Sequence, residues 1–327
     1  MAQLRWLLAG CLIACHAAPD PAAPGPVAPA PAAPASSREP QPACAPALPL
    51  LARQHTPNVT AIYVANLGVS RDAIQVDAPA LLTSKRGYVH QPAFAADGSG
   101  VYFTWRPEGS QADIWFHDLR SHDEHPVTCS SEEEYLATPT PDGTGLTVVR
   151  VNQDLGRTLT VLAPDGKPRR TLFPGVTNVG AYRWADDHTV AMLLFSDGSS
   201  KIVLGDTSTG TITDVAENAG ASLTAIPGAR AIAYIDNSGE HASLMRLELA
   251  THATARLLAL PDAVDSVAWL SDGSVLAGTG TRILRASPTA PDWHEVANLT
   301  GKIDGAIARL VISNDQRQLA IVVRLGD

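Results

Sequence analysis

Five aspartates recur at related places in this chain: Asp97, Asp142, Asp187, Asp272 and Asp315. Three precede a glycine, Gly98, Gly143 and Gly273. A carboxylate beside a glycine supports two chemistries. It can ligate a hard cation, or it can accept hydrogen bonds from its own turn while the glycine takes a positive φ. Asp97, Asp142 and Asp187 are 45 residues apart, and Asp272 and Asp315 are 43 apart. Carboxylates so distributed fall in separate structural units and cap turns there, too far apart to share one ion. The ten histidines form no H-E-x-x-H or other short chelating pattern. His117, His122 and His125 cluster around one hairpin, with His117 expected on a strand and the other two in a polar turn. Ser130 and Ser131 have no identifiable His–Asp companions, and no G-x-S-x-G elbow is present. No catalytic, cofactor-binding or metal-ligating set is therefore expected. Recognition is the chemistry best supplied. "SKRGYVH", "WRPEGSQ" and "SSEEEY" bring together Arg86, Tyr88, Arg106, Glu108, Glu132, Glu133, Glu134 and Tyr135. Arginine and tyrosine each bury a broad surface while keeping a directed polar group.

The elements that position these residues follow from the same period. "FAADGSGVYFTW", "PTPDGTGLTVVR", "WADDHTVAMLLF", "WLSDGSVLAG" and "ISNDQRQLAIVV" each place a turn before an apolar or β-branched run. "AIPGARAIAYI" fills the long gap after Asp187, with Ala229 where the aspartate is expected. Each turn and run continues into a second hairpin around Gly, Ser, Thr or Pro, giving four strands in about forty residues. Two strands precede the first complete repeat and two follow the fifth. Joined, they make one more unit, with Thr60 to Asp77 sharing a sheet with Ala308 to Leu325. The expected fold is all-β: a six-bladed β-propeller of four-stranded antiparallel blades, its ring closed by a blade shared between the two ends. Closure removes exposed sheet edges, and a many-stranded sandwich does not explain the long period. Phe94, Trp184 and Trp269 hold one equivalent repeat position and are expected between blades.

The repeat resembles the TolB-like β-propeller repeat of exported bacterial proteins. The motif is an aromatic or apolar residue, a Ser/Ala/Thr-Pro/Ala-Asp-Gly turn, an apolar strand, then Asp-Ile-aromatic. Its fullest copy here is Phe94, Asp97, Gly98, Asp113, Ile114 and Trp115. The resemblance spans roughly Ala61 to Leu325. It implies the fold, and it implies kinship with propellers that bind envelope proteins. A Pro/Ala tract stands where the Tol-Pal protein carries a separate N-terminal domain, so this chain is not read as that protein. Some other six-bladed propellers are metal-dependent lactonases, and that motif is not found here.

Before the repeats, residues 1–15 read as an export signal: "MAQLR", then a short apolar run. "LIAC" resembles a lipobox, with Cys15 as the lipidated residue. Cleavage after "CHA" and processing at Cys11 are the alternatives. His16 rather than aspartate after Cys15 leans toward the outer membrane. Residues 16–57 form a Pro/Ala-rich tether, and residues 58–327 form the propeller. Cys44 and Cys129 are then left to pair in an oxidising compartment.

The chain has 327 residues, 17% of them charged, with a formal net charge of −9 and no long Lys/Arg cluster, which argues against a nucleic-acid footprint. The expected function is a non-catalytic binding or scaffold module of the cell envelope. It is expected to be exported, periplasmic, lipid-anchored, monomeric and without a cofactor, and to bind an envelope protein through the loop face of its first two blades. The alternative is a lactonase-like hydrolase or lyase holding a divalent cation in the central channel.

Overall fold

In this computed structural model the described residues are 59–70, 73–196 and 198–326. They fall in one compact unit, Pro42–Asp327; the expected signal, lipidation site, tether and Cys44 lie outside the described residues. All regular structure among the described residues is β-strand, and no helix there is long and apolar enough to cross a membrane.

The strands form six antiparallel sheets, one for each repeat. The first blade is built from Tyr88–Phe94, Gly100–Arg106, Asp113–Asp118 and Glu124–Pro126, hydrogen-bonded in that order. Four more blades follow the same order, with innermost strands Glu133–Pro139, Val179–Trp184, Ala219–Ala225 and Val267–Trp269. The sixth blade is the shared one. Its innermost strand is Ala306–Ile312, followed by Gln318–Arg324, then Thr60–Val69 and Ile74–Val76 from the other end. Thr60 pairs with Arg324 and Asn66 with Gln318. The sixth sheet also takes a short extra strand, Ala80–Leu81, on Thr60–Val69.

The second strands read as unbroken apolar runs because both of their faces are buried. Side chains alternate across a strand. Along Gln318–Arg324, Leu319, Ile321 and Val323 pack toward the fifth blade, while Ala320 and Val322 pack toward the first. Along Thr189–Ser196, Val190, Met192 and Leu194 face the second blade, while Ala191 and Leu193 face the fourth. Each apolar cluster of the described residues fills one joint between neighbouring blades, and together they account for all six joints. The joint between sixth and first blades, with Ile62, Phe94, Phe103 and Val322, closes the ring.

The Asp-Gly turns are structural, as their spacing indicated. Asp97, Asp142 and Asp272 each accept an amide hydrogen bond from the residue two positions on, at 3.0, 3.0 and 2.9 Å. Gly98, Gly143 and Gly273 hold φ of 71°, 67° and 81°. Two turns differ from the sequence reading. In the third blade Asp186, not Asp187, caps the turn, accepting from the His188 and Thr189 amides at 3.0 and 2.7 Å. In the fourth, the bonds from Ile226 to Ala231 and from Ala229 to Ile226 align Gly228, not Ala229, with Asp97.

Candidate functional site

Of the eight residues expected on the loop face, only Arg86 and Glu108 are exposed; Glu132 is half-buried. Arg106 ends the second strand of the first blade at 5% exposure, and Glu133 and Glu134 open the innermost strand of the second blade at 1% each. Tyr135 follows on that strand, half-buried. The expectation of an exposed "SSEEEY" loop is therefore corrected. The acidic run reads as a solvated turn, but its second half is the start of a strand facing the joint between the first two blades.

Within that joint the side chains pair with one another. Tyr135 Oη donates to Glu133 Oε2 at 2.9 Å, and Arg106 Nη1 lies 3.3 Å from Tyr135 Oη and 3.4 Å from Glu133 Oε1. Glu134 Oε1 accepts from Ser130 Oγ at 2.6 Å and Arg150 Nε at 3.1 Å. Arg150 Nη2 also reaches Glu132 Oε2 at 3.0 Å. The motif residue Asp113 accepts from Thr128 and Gln111, each at 3.4 Å. Burial, followed by repulsion from Glu134, pushes its carboxyl up to about 7. Burial also raises Glu133 and Glu134, against the opposing pull of Arg106 and Arg150. This cluster is a joint seal, not an open surface.

Tyr88, His117, His125 and Ser130 are also engaged. Tyr88, on the innermost strand of the first blade, stacks on His90 with ring centroids 5.1 Å apart and meets Tyr135 edge-on at 6.5 Å. The Arg86 carbonyl accepts from Trp105 Nε1 at 2.9 Å. His117 lies on a strand, as read, with Nδ1 3.1 Å from Glu124 Oε1. His125 is not in the turn but on the strand Glu124–Pro126, packed on Phe116 at 5.4 Å. Ser130 Oγ serves the backbone and Glu134. Among the described residues no group of three or more His, Cys, Asp or Glu is placed to hold a metal ion. Cys129 is disulfide-bonded; Cys44, its expected partner, lies outside the described residues.

The opposite face, carrying the Asp-Gly turns, holds a wide hollow. There the six innermost strands line a cavity of about 740 Å³ at the mouth of the central channel. Phe94, Trp184 and Trp269 ring it. They also pack in the blade joints, as their repeat position indicated. Trp184 Nε1 donates to Thr147 and Trp269 Nε1 to Thr224 of the preceding blade, both at 3.0 Å. The indole edges are thus fixed at the joints, with Trp184 half-buried and Trp269 buried at the cavity wall.

Two arginines missed by the sequence reading line the same cavity, Arg183 and Arg309. They come from the innermost strands of the third and sixth blades, opposite one another in the ring. Strand register aligns Arg183 with Val311, so Arg309 lies two residues deeper along its strand. Arg183 is exposed to the cavity and Arg309 half-buried; neither side chain makes a hydrogen bond or ion pair with the described residues. Desolvation lowers both guanidinium pKa values, opposed by Tyr182 at Arg183 and by Tyr88 and Asp265 at Arg309. The available signal was positional: at Arg183's level the first two blades carry Ala93 and Thr138.

No family model matches the chain, and no curated protein sequence does. Solved structures do match. The TolB structure from Agrobacterium tumefaciens superposes with a TM-score of 0.61 at 12% identity, over 83% of this chain and 100% of that one. TolB from Acinetobacter baumannii gives 0.53 at 14%, over 83% of this chain and 65% of that one. An oligogalacturonate lyase in complex with manganese gives 0.54 at 12%, over 76% and 80%. The fold is thus shared with TolB-like propellers, as the repeat motif implied, and at these identities the likeness speaks for fold.

Proposed function

We propose that this chain is a non-catalytic binding module of the cell envelope that takes a segment of a partner protein into the channel mouth on its Asp-Gly turn face. The observation that carries this reading is the wide hollow lined by all six innermost strands, with aromatic faces at its wall and two guanidiniums inside. A concave, mixed-polarity pocket on a rigid scaffold is where recognition concentrates. The loop face expected from sequence offers less, because Arg106, Glu133 and Glu134 are spent within the blade joint. Export through residues 1–15, lipidation at Cys15 and a tether over residues 16–57 belong to the same proposal. They would hold the ring at the periplasmic side of a membrane, where such a partner is met.

Site-specific photo-crosslinking in intact cells tests the reading. A crosslinking residue at exposed Ala96, on the mouth, is compared with one at exposed Glu108, on the other face. The proposal expects a discrete envelope-protein adduct from Ala96. Adducts from Glu108 alone would return the interaction to the first-blade loop face. The competing enzymatic reading draws on the manganese-bound lyase among similar folds. Cleavage of oligogalacturonate by purified protein with manganese would establish it and displace the binding-module reading.

A further inference from the structure

We infer that the channel is a carboxylate-recognition site, in which Arg183 and Arg309 grip the acidic tip of an inserted peptide segment. This rests on the reading that the channel mouth receives a protein segment, and it names the chemistry of that segment. A cation enclosed by protein is costly unless it is paired or hydrogen-bonded. Enclosed arginines elsewhere in the ring meet that rule: Arg106 faces Glu133, and Arg150 faces Glu132 and Glu134. Half-buried Arg309 is an exception, and Arg183, exposed into the same cavity, likewise makes no ion pair with the described residues. Their planar donor forks match carboxylates two bonds at a time. The chain as a whole carries −9, so these two charges stand against the protein's general field. A cleft with low-dielectric walls focuses such local charge on an entering ligand.

The rim argues for a peptide over a uniformly anionic chain. Asp97, Asp142, Asp187 and Asp315 are exposed on the turns around the mouth and make no ion pair with the described residues. Asp186 is neutralised by Arg230 at 3.5 Å, and Asp272 by Arg285. A polyuronate would carry negative charge past these four open carboxylates along its whole length. A peptide can place acidic side chains only at its tip and neutral or basic ones where it crosses the rim. The walls also suit a polypeptide: half-buried Pro139 and Trp184 offer apolar contact beside the two arginines, backed by buried Pro92, Phe94 and Trp269.

The test uses fluorescence anisotropy on the full chain with three labelled probes. One is a peptide with an acidic tip and a basic stem, one has the same composition with alternating charges, and one is an oligogalacturonate. Binding of the first peptide is expected to be at least tenfold tighter than that of the second and to weaken with salt. It is expected to fall at least tenfold in Arg183→Gln/Arg309→Gln and to recover in part in Arg183→Lys/Arg309→Lys. A thermal melt of each variant separates lost binding from lost folding. Equal binding of both peptides, or unchanged affinity in the folded glutamine variant, overturns carboxylate recognition. Tighter, arginine-dependent binding of oligogalacturonate overturns the choice of a peptide. The Ala96 crosslink, repeated in the glutamine variant, separates the two levels: an adduct that persists at full yield leaves the channel-mouth reading standing and removes the role of the arginines.

Discussion

Tyr135 donates its hydroxyl proton to Glu133 Oε2 across 2.9 Å, and Arg106 faces both groups in the joint between the first two blades. With Glu133 at 1% exposure and Arg106 at 5%, removing the cation strands a buried carboxylate. Arg106→Ala should therefore destabilise the ring by about 3 kcal/mol or more. Tyr135→Phe, which removes one hydrogen bond and keeps the ring packing, should cost about 1 kcal/mol. Urea unfolding of each variant measures both. An Arg106→Ala protein as stable as wild type would return these side chains to the surface and reopen the loop face as an interaction site.

Ring closure has a sharper consequence. Leu319, Ala320, Ile321, Val322 and Val323 are fully buried and divide between two joints. Deleting residues 318–327 removes the strand that links the two ends of the chain and opens both joints together. The expected result is loss of cooperative unfolding of the whole domain, with apolar joint surface exposed to a dye. Ile321→Ala, a milder probe of the same strand, should cost about 2–5 kcal/mol. A truncated chain with an unchanged thermal midpoint contradicts closure by this strand.

The architecture was legible because closure writes itself into sequence arithmetic. A turn, an apolar run and a second hairpin recur, and the two leftover strand pairs make one blade, now seen as Thr60 paired with Arg324. What failed was local. Gly228 and Asp186 displaced the expected turn positions because turns are set by backbone hydrogen bonds, which tolerate a slip of one residue in the apparent repeat. Glu133 and Glu134 were misplaced because charge argues for solvent, whereas here Arg106, Arg150 and Ser130 meet that charge from other elements. Those partners are adjacent only after the blades pack. Arg183 and Arg309 were overlooked for the converse reason. Each is a single cation in an apolar strand, and only the ring brings the third and sixth blades around one cavity.

Two desolvated titratable groups pull the pH dependence of stability in opposite directions. Asp113 is raised from 3.8 to about 7, so its contribution is fully present below pH 3.8 and is lost as pH rises through 7. His90 is lowered from 6.5 to about 3 by desolvation and then by Arg309 and Arg324; its Nδ1 accepts from the Gln91 amide at 2.8 Å. Its contribution is present above pH 6.5 and is lost as pH falls through 3. Each has a slope on the order of 1 kcal/mol per pH unit, so between about pH 4 and 6.5 the two largely cancel. His90→Phe should expose the acid limb, with stability falling as pH rises from 4 to 7. Asp113→Asn should expose the base limb, with stability rising from 4 to 6.5. Urea midpoints across that range check both; parallel profiles for the two variants would exclude this assignment.

Cys129 gives the last prediction. It lies in the connection between the outermost strand Glu124–Pro126 of the first blade and the innermost strand Glu133–Pro139 of the second, and it is disulfide-bonded. Cys44 is the partner we propose. Of the three cysteines that precede the ring it is the nearest in sequence, and processing at Cys15 would remove Cys11 and occupy Cys15. A bond from Cys129 to Cys44 would tie the end of the tether beside the blade joint that Arg106 and Glu133 seal. It would also shorten the unfolded chain's range, worth about 2–4 kcal/mol for a bridge of this kind. Cys129→Ser, or reduction of the wild type, should lower the urea-derived stability by that amount while leaving the β-sheet spectrum intact. A non-reducing peptide map of exported protein should show one linked pair containing Cys44 and Cys129. A map that joins Cys129 to Cys11 or Cys15 would reject the tether staple, and with it lipidation of Cys15 as the sole fate of that residue.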